Sequence, residues 1–260
     1  MGSKQARRIA VANEKGGVGK TVTALNLGAA LSLEKKTVLV VDMDPQANVT
    51  KGLGLEGDDE RLSVYDLIND PESNEVSDAI IKTQWEGLDL LPSHVDLAGA
   101  EIELIDVAGR ENRLRDALKE ITGDYDFIII DTPPSLSLLT VNVFAFAKEV
   151  LVPCQTHPYA YAALDDLFDT ISDIQEEINP DLEITGIIAT FFDKRTRISN
   201  KILEKINNDD RYEKLLLNTA IRVNTTIAES AEIGKPVVFY RKSSYGAVDY
   251  TGLAKELLSR

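Results

Sequence analysis

The chain has 260 residues, 43% of them hydrophobic, enough to bury a substantial core as one large domain or two small ones. Its formal net charge of −15 excludes a surface that coats nucleic acid indiscriminately, so any contact with a polyanion has to come from a local basic patch. The single cysteine, Cys154, excludes an intrachain disulfide and a four-cysteine cluster within one chain, and no apolar run reaches the ~18–20 residues that span a bilayer.

The N-terminal run MGSKQARRIAVAN is basic but enters a strand directly, without the apolar core and cleavage site of a signal peptide, so the expected location is cytoplasmic. RIAVAN (8–13) is β-rich and ends in a glycine loop. After it, KTVTALNLGAALSLEKK carries Leu25, Leu27, Ala30, Leu31 and Leu33 at helical spacing. TVLVVDMD (37–44) is a continuous apolar run ending in acid, the pattern of a strand covered on both faces. Strand, loop, helix and strand in this order make a βαβ unit with parallel strands. The stretch 53–86 is acidic and lacks strong periodicity.

Further along, LDLLPS (88–93) predicts a short strand and ENRLRDALKEITG an amphipathic helix stopped by Gly123. DFIIIDTPPS (126–135) predicts a buried strand closed by Asp131 and two prolines. EVLVPC (149–154) and ITGIIATFF (184–192) are further strands, with a helix over about 162–178 between them. AVDYTGLAKELLSR predicts a terminal helix with Val248, Leu253, Leu257 and Leu258 as its apolar stripe. The pattern predicts one α/β domain over residues 1–260, a doubly wound, mostly parallel sheet flanked by helices.

Ligands of such a sheet sit beyond the C-terminal ends of its strands, where this sequence places the glycine loop, DMDPQAN and DTPPS. The loop, VANEKGGVGKT (11–21), departs from the usual phosphate-binding pattern because Glu14 stands where the first glycine belongs. Gly16, Gly17 and Gly19 are the positions that the anion-cradling turn needs, and the helix opening at Lys20 adds its positive end. Lys20 is placed to reach the β- and γ-phosphates of a nucleotide. The Thr21 hydroxyl is placed to ligate Mg²⁺, with Asp131 as the acid that holds the ion directly or through a water. Lys15, an extra cation just before the glycines, either adds to the field around its own chain's triphosphate or acts on one held by a facing subunit; spacing leaves both open.

KGGVGKT resembles the deviant Walker A motif of the ParA/MinD family of P-loop ATPases. VVDMDPQAN and DFIIIDTPPS are similar to that family's two further signatures, in the same order. The likeness is greatest to ParA (Soj-type) partition ATPases, through DPQAN, DTPPS and the C-terminal GKPVVFY…SSYGAVDYTGLAKEL. The resemblance implies an ATP-sandwich dimer in which Lys15 crosses to the partner's phosphates. It also implies a P-loop contact from Gly16, Gly17, Val18, Gly19, Lys20, Thr21 and Val22, a catalytic Asp44 that positions the attacking water, and Asp131 as the Walker B acid, with ATP and Mg²⁺ as cofactors. Asp42, on the same strand face as Asp44, takes a structural or outer-shell role. Two departures stand out: Val22 replaces a second Ser/Thr, and the segment VPCQTHPYAYAAL is longer than in relatives, which often carry an acidic residue near His157. His157 reads as structural rather than as a base.

Residues 194–222 carry eight basic side chains against four acidic ones, on an otherwise acidic chain. Lys194, Arg197, Lys201 and Lys205 recur at helical neighbour spacing, so the helix after TFF has one basic face, and Arg241 and Lys242 form a smaller group. In the resembled family basic residues of this region bind DNA without sequence preference, and Arg195 and Arg222 match such positions. The expectations are therefore Lys194, Arg195, Arg197, Lys201, Arg222, Arg241 and Lys242 on DNA, a ParB-type centromere-binding partner, a homodimer in the ATP state, nucleoid association, no membrane, and slow, partner-stimulated hydrolysis. A MinD-type membrane-cycling or other cargo-positioning ATPase and an ATP-dependent amidase or ligase are the competing classes.

Overall fold

Eight strands form one sheet in the order β3–β4–β2–β5–β1–β6–β7–β8. They are β1 (Arg7–Val11), β2 (Val38–Asp42), β3 (Ile81–Lys82), β4 (Leu88–Leu91), β5 (Phe127–Asp131), β6 (Glu149–Gln155), β7 (Glu183–Phe192) and β8 (Leu216–Arg222). Every pairing is parallel except β3 with β4. The structure, a computed structural model, describes residues 5–55, 61–71 and 73–260; part of the aperiodic stretch 53–86 and the first four residues of the basic N-terminal run lie outside the described residues.

Strands β2 and β5 are buried at every position because helices cover both faces, as their unbroken apolar runs require. Successive side chains alternate between two cores. Ile9, Val11, Val38, Val40, Phe127 and Ile129 pack with the helices Lys20–Leu33 and Tyr245–Leu258. Leu39, Val41, Ile128 and Ile130 point the other way, toward Leu138–Phe146, Leu164–Glu177 and Arg197–Asn207. The chain leaves β1 toward β2 on one side and later crosses from β5 to β6 on the other, so the winding reverses at β1. This is the doubly wound α/β sheet read from the sequence.

Several elements differ in detail. The helix expected over about 162–178 is two, Pro158–Ala162 and Leu164–Glu177, the first opened by a proline whose missing N–H costs nothing at that position. ENRLRDALKEITG forms only one α-helical segment, Arg113–Leu118, between two 3₁₀ turns. In the terminal helix Val248 is exposed, contrary to its place in the expected stripe; the buried side is Ala247, Tyr250, Leu253, Ala254 and Leu257. Ser244 sets that phase by accepting a hydrogen bond from the Ala247 N–H at 3.2 Å. Strand β8 was not foreseen, because Asn218 and Thr219 break its apolar pattern. Its backbone is held there by the Glu256 carboxylate, which accepts from the N–H groups of both residues at 2.8 Å.

At the opposite end of the sheet from the strand tips, the Arg7 guanidinium donates to both Glu149 oxygens at 2.8 and 2.7 Å and to the Leu257 carbonyl at 2.6 Å. That clamp fastens the terminal helix to β1 and β6. Among the described residues no helix is long and apolar enough to cross a membrane.

The segment after β2 is fixed by a close backbone approach. Gly234 ends the Thr225–Glu232 helix at φ 63°, and a Cβ there would lie 2.5 Å from the Gly54 Cα. Gly234→Ala is expected to cost about 2–5 kcal/mol, combining the left-handed penalty with forced separation of the two backbones. Urea denaturation at constant slope measures it; a loss below about 0.5 kcal/mol, the range of an ordinary surface change, would contradict the packing.

Candidate active site

The glycine loop leaves β1 and delivers its last residue to the start of the Lys20–Leu33 helix. Gly17 and Gly19 adopt φ 76° and 93°, where a side chain is strained, so these two positions require glycine. Gly19 is the N-cap and supplies no side-chain acceptor, which leaves the first N–H groups of a 14-residue helix free to face an anion. The loop is braced from beneath. Asn13 donates to the Pro153 carbonyl at 2.8 Å and accepts from the Lys15 N–H at 2.9 Å, while the Thr190 hydroxyl donates to the Val18 carbonyl at 2.8 Å. Glu14, in the position of the missing glycine, accepts from the Thr170 hydroxyl at 3.2 Å on the facing helix.

The two lysines of the loop take opposite courses. Lys20 is buried, 6% exposed, and its ammonium donates to the Lys15 carbonyl at 3.3 Å. Burial lowers its pKa, while the charges of Asp131 and Asp44 oppose that shift. Lys15 is half-buried and sets its ammonium 5.8 Å from the centre of the Tyr159 ring, a cation–π distance. His157, read as structural, is the N-cap residue of the Pro158–Ala162 helix and lays its ring against Tyr159 at 5.4 Å.

The acids stand at the tips of two paired strands, where Asp42 and Asp131 are register partners. Asp42 is fully buried and satisfied: it accepts from the Thr50 N–H at 3.0 Å, the Thr50 hydroxyl at 2.9 Å and the Asp44 N–H at 3.3 Å. Burial nevertheless pushes its pKa up to about 6. Asp131 is also fully buried, and neither carboxylate oxygen has a hydrogen-bond partner. Burial raises its pKa well above the usual carboxylate range, the neighbouring Asp42 and Asp44 add to the rise, and the nearby Thr21 hydroxyl and Lys20 charge oppose it. Asp44 follows β2 in a tight turn, accepting from the Gln46 N–H at 2.9 Å, with Ala47 left-handed at φ 52°.

A buried carboxylate without a donor, beside a hydroxyl, is an oxygen-only donor set that suits a hard cation. Among the described residues no group of three His, Cys, Asp or Glu side chains surrounds it, so a cation there needs further oxygens from a ligand or water. Next to Gly19 and Val22 opens an apolar cavity of 270 Å³, whose other walls include Thr190, Phe191, Arg222 and Tyr250. Sequence reading did not find this cavity, because its walls come from β7, β8, the Thr225–Glu232 helix and the terminal helix and no local pattern joins them. Phe191 is left-handed at φ 50°, which costs a residue with a side chain about 1–2 kcal/mol.

The expected basic residues divide into two groups. Lys194, Arg197, Lys201, Arg241 and Lys242 are exposed, with no carboxylate partner among the described residues. Lys194 precedes the helix instead of lying on it: Thr196 caps the helix and Arg197 is its first residue, so the basic stripe begins there. Arg195 is folded onto Asp193 with bonds of 2.9 and 2.8 Å. Arg222 is locked on the buried Asp249 by bonds of 2.5–3.1 Å and stacked 4.1 Å from the Tyr245 ring, so its charge is largely neutralised.

A left-handed glycine loop opening a helix, faced by acids at the tips of parallel strands, defines a P-loop nucleotide-binding architecture. Comparison with known proteins narrows it. The model of a family described as an AAA domain matches residues 6–184. The chain is 43% identical to the sporulation initiation inhibitor protein Soj of Bacillus subtilis, across 96% of this chain and 97% of that protein. It is 40% identical to the chromosome partitioning protein ParA of Caulobacter vibrioides, across 100% and 97%. Among solved structures, one of cobyrinic acid a,c-diamide synthase from Mycobacterium smegmatis with a bound ATP analog and magnesium superposes with a TM-score of 0.84, at 40% identity, over 97% of this chain and 94% of that one. The chain belongs to the ParA/Soj family of P-loop partition ATPases.

The unpaired Asp131 has a consequence for stability. A folded-state pKa raised above the unfolded value means that the native state binds more protons, so stability of the ligand-free protein falls as pH rises through the interval between the two values. For Asp42 that fall ends near pH 6; for Asp131 it begins in the ordinary carboxylate range and extends upward. Asp131→Asn is therefore expected to raise the thermal midpoint of the ligand-free protein at pH 8, by about 2–4 °C for each kcal/mol relieved. A midpoint below the parent's at that pH would contradict an unpaired charge.

Proposed function

We propose that the chain is a Mg²⁺-dependent ATPase whose ATP-bound form pairs with a second copy, binds DNA without sequence preference and is released by hydrolysis, moving or spacing a cargo with a ParB-type partner. The observation that carries this reading is the divergence of the two loop lysines. Lys20 lies buried among the acids, placed to meet the phosphates of its own nucleotide, whereas the half-buried Lys15 carries its ammonium away from them to the Tyr159 ring, which is 75% exposed. A cation at the mouth of the site is placed to reach a triphosphate on a facing protomer.

In this reading the N–H groups from Gly16 to Val22 cradle the phosphates, and the apolar cavity beside Val22 takes the base. Thr21 and Asp131 hold Mg²⁺, which screens the phosphate charge when bound. Asp44 orients the attacking water, held in place by its N–H bond to Asp42. Lys194, Arg197, Lys201, Arg241 and Lys242 supply the DNA surface, and Arg195 joins them by releasing Asp193. Arg222 contributes least, because Asp249 already occupies its guanidinium. Pairing doubles the basic face, and two linked faces hold a polyanion far more tightly than one. Hydrolysis is slow until the partner stimulates it, and the protein is nucleoid-associated in its ATP state.

A membrane-cycling tail is disfavoured because the apolar side of Tyr245–Leu258 is packed in the core. Amide synthesis is the competing reading raised by the 40% identical M. smegmatis structure. It demands that a carboxylate acceptor and an amide donor accelerate ATP turnover.

The test is a shift assay on random-sequence duplex with ATP, ADP or no nucleotide, at two salt concentrations. Binding with ATP alone, weakening steeply as salt rises, is expected. Equal binding in all nucleotide states, binding to anionic liposomes instead of DNA, or turnover stimulated only by cobyrinic acid with an amide donor would overturn the reading. Asp44→Ala is expected to retain ATP-dependent pairing while turnover falls about 10²-fold or more; unaltered hydrolysis by this variant removes Asp44 from the mechanism.

A further inference from the structure

Strand β7 touches the phosphate loop at one end of a short segment and the basic helix at the other. Thr190, near its tip, donates its hydroxyl to the Val18 carbonyl at 2.8 Å, and a Cβ built on Gly19 would lie 3.6 Å from the Phe191 ring. Beyond Phe191 the chain turns into Asp193–Thr196 and then the helix Arg197–Asn207, which carries Arg197 and Lys201. Three hydroxyls, of Thr156, Thr190 and Ser199, are buried at this junction, 5%, 2% and 4% exposed.

Their connections form a chain. The Thr156 oxygen lies 3.2 Å from the Phe191 carbonyl and 3.0 Å from the Ser199 hydroxyl, and Ser199 accepts from the Asp193 N–H at 3.4 Å. One proton per hydroxyl gives a consistent direction: Asp193 N–H to Ser199, Ser199 to Thr156, Thr156 to the Phe191 carbonyl. The Thr156 N–H closes the junction on the Thr190 carbonyl at 3.1 Å. Ser199 lies in the first turn of the basic helix, so the clasp joins that helix to the residues that brace the phosphate loop. Between them sits Phe191, a non-glycine residue held left-handed, a strained backbone position of the kind that clusters at ligand clamps and switch segments.

We propose that the Thr156–Ser199 hydroxyl clasp, together with left-handed Phe191, couples occupancy of the phosphate loop to the placement of the basic helix, making Thr156 and Ser199 positioning residues for nucleotide-dependent DNA binding. This rests on the function proposed above. Phosphate binding draws the N–H groups of the Val18–Lys20 stretch toward the anion and moves the Val18 carbonyl with its peptide. Thr190 follows that carbonyl, and the clasp carries the displacement to the helix bearing Arg197 and Lys201. The coupling is a free-energy difference between two arrangements of one packed segment, so cutting the clasp separates the two sites without touching either.

The experiment measures affinity for a labelled random-sequence duplex with Mg²⁺ and either ATP or ADP, alongside DNA-free ATP turnover and ATP-dependent pairing. It compares the parent with Ser199→Ala, Thr156→Val, Thr156→Ser and Lys201→Ala. In the two clasp-cutting variants the ATP-to-ADP affinity ratio is expected to fall at least about fivefold, the lower end of ordinary allosteric couplings, with turnover and pairing within about twofold of the parent. Thr156→Ser keeps the hydroxyl and the parental ratio. Lys201→Ala weakens DNA binding and leaves the ratio in place. Parental ratios in both Ser199→Ala and Thr156→Val, or a lost ratio in Thr156→Ser, would overturn the coupling while leaving the proposed function standing. A parent without nucleotide-dependent DNA binding would overturn both.

Discussion

Asp131 closes the central strand β5 as a fully buried carboxyl with the Thr21 hydroxyl and Lys20 ammonium nearby and with Asp42 and Asp44 beside it, and the meeting of these groups is the constraint on which the site depends. A buried carboxylate is destabilising on its own, and the Thr21 hydroxyl and Lys20 charge nearby offset only part of the rise in its pKa, so the site suits a further cation. The neighbouring groups fit that demand. Thr21 offers a hydroxyl, Lys20 brings a partly desolvated ammonium, and the uncapped helix end behind Gly19 offers N–H groups to the anion that accompanies such a cation. The sheet topology makes this meeting possible, since β1 lies beside β5 and β6 where the winding reverses.

Asp42 shows how the same kind of residue is used differently one strand away. Its three hydrogen bonds turn it into an anchor that ties Asp44 and the Thr50 segment to the tip of β2. Asp44 remains nearby on a short turn, hydrogen-bonded but not immobilised on a strand. Satisfaction, not proximity, separates an acid that holds structure from one available for chemistry. The same criterion sorts the basic residues, where Arg222 is consumed by Asp249 while Arg197 and Lys201 stand exposed.

Much of this was legible in the sequence, for physical reasons that differ by element. The runs at 37–44 and 126–135 declared themselves because strands buried on both faces have to be apolar throughout, and the acid ending each run marks where the sheet meets the ligand. The glycine loop was legible despite Glu14, because the positive φ angles fall at Gly17 and Gly19 and not at the substituted position. What escaped notice depends on distant partners. Strand β8 relies on Glu256, the phase of the terminal helix on Ser244, and the apolar cavity on Phe191, Arg222 and Tyr250 from separate elements. The basic cluster looked uniform in sequence because the acid that neutralises Arg222, Asp249, is 27 residues away, and because nothing in the local run shows that Arg195 folds back onto the neighbouring Asp193.

In the proposed function one protomer leaves the site incomplete and a second copy completes it through Lys15. Mixing Lys15→Ala with Asp44→Ala protein and measuring ATP turnover tests this directly, since each variant supplies what the other lacks only if the lysine acts across the interface. The account predicts two preparations that are inactive alone and recover about a quarter of the parental rate when mixed in equal amounts, because half the pairs are mixed and each mixed pair has one complete site. A mixture that pairs with ATP yet turns over no faster than its components would contradict it, as would a Lys15→Ala protein that is fully active by itself.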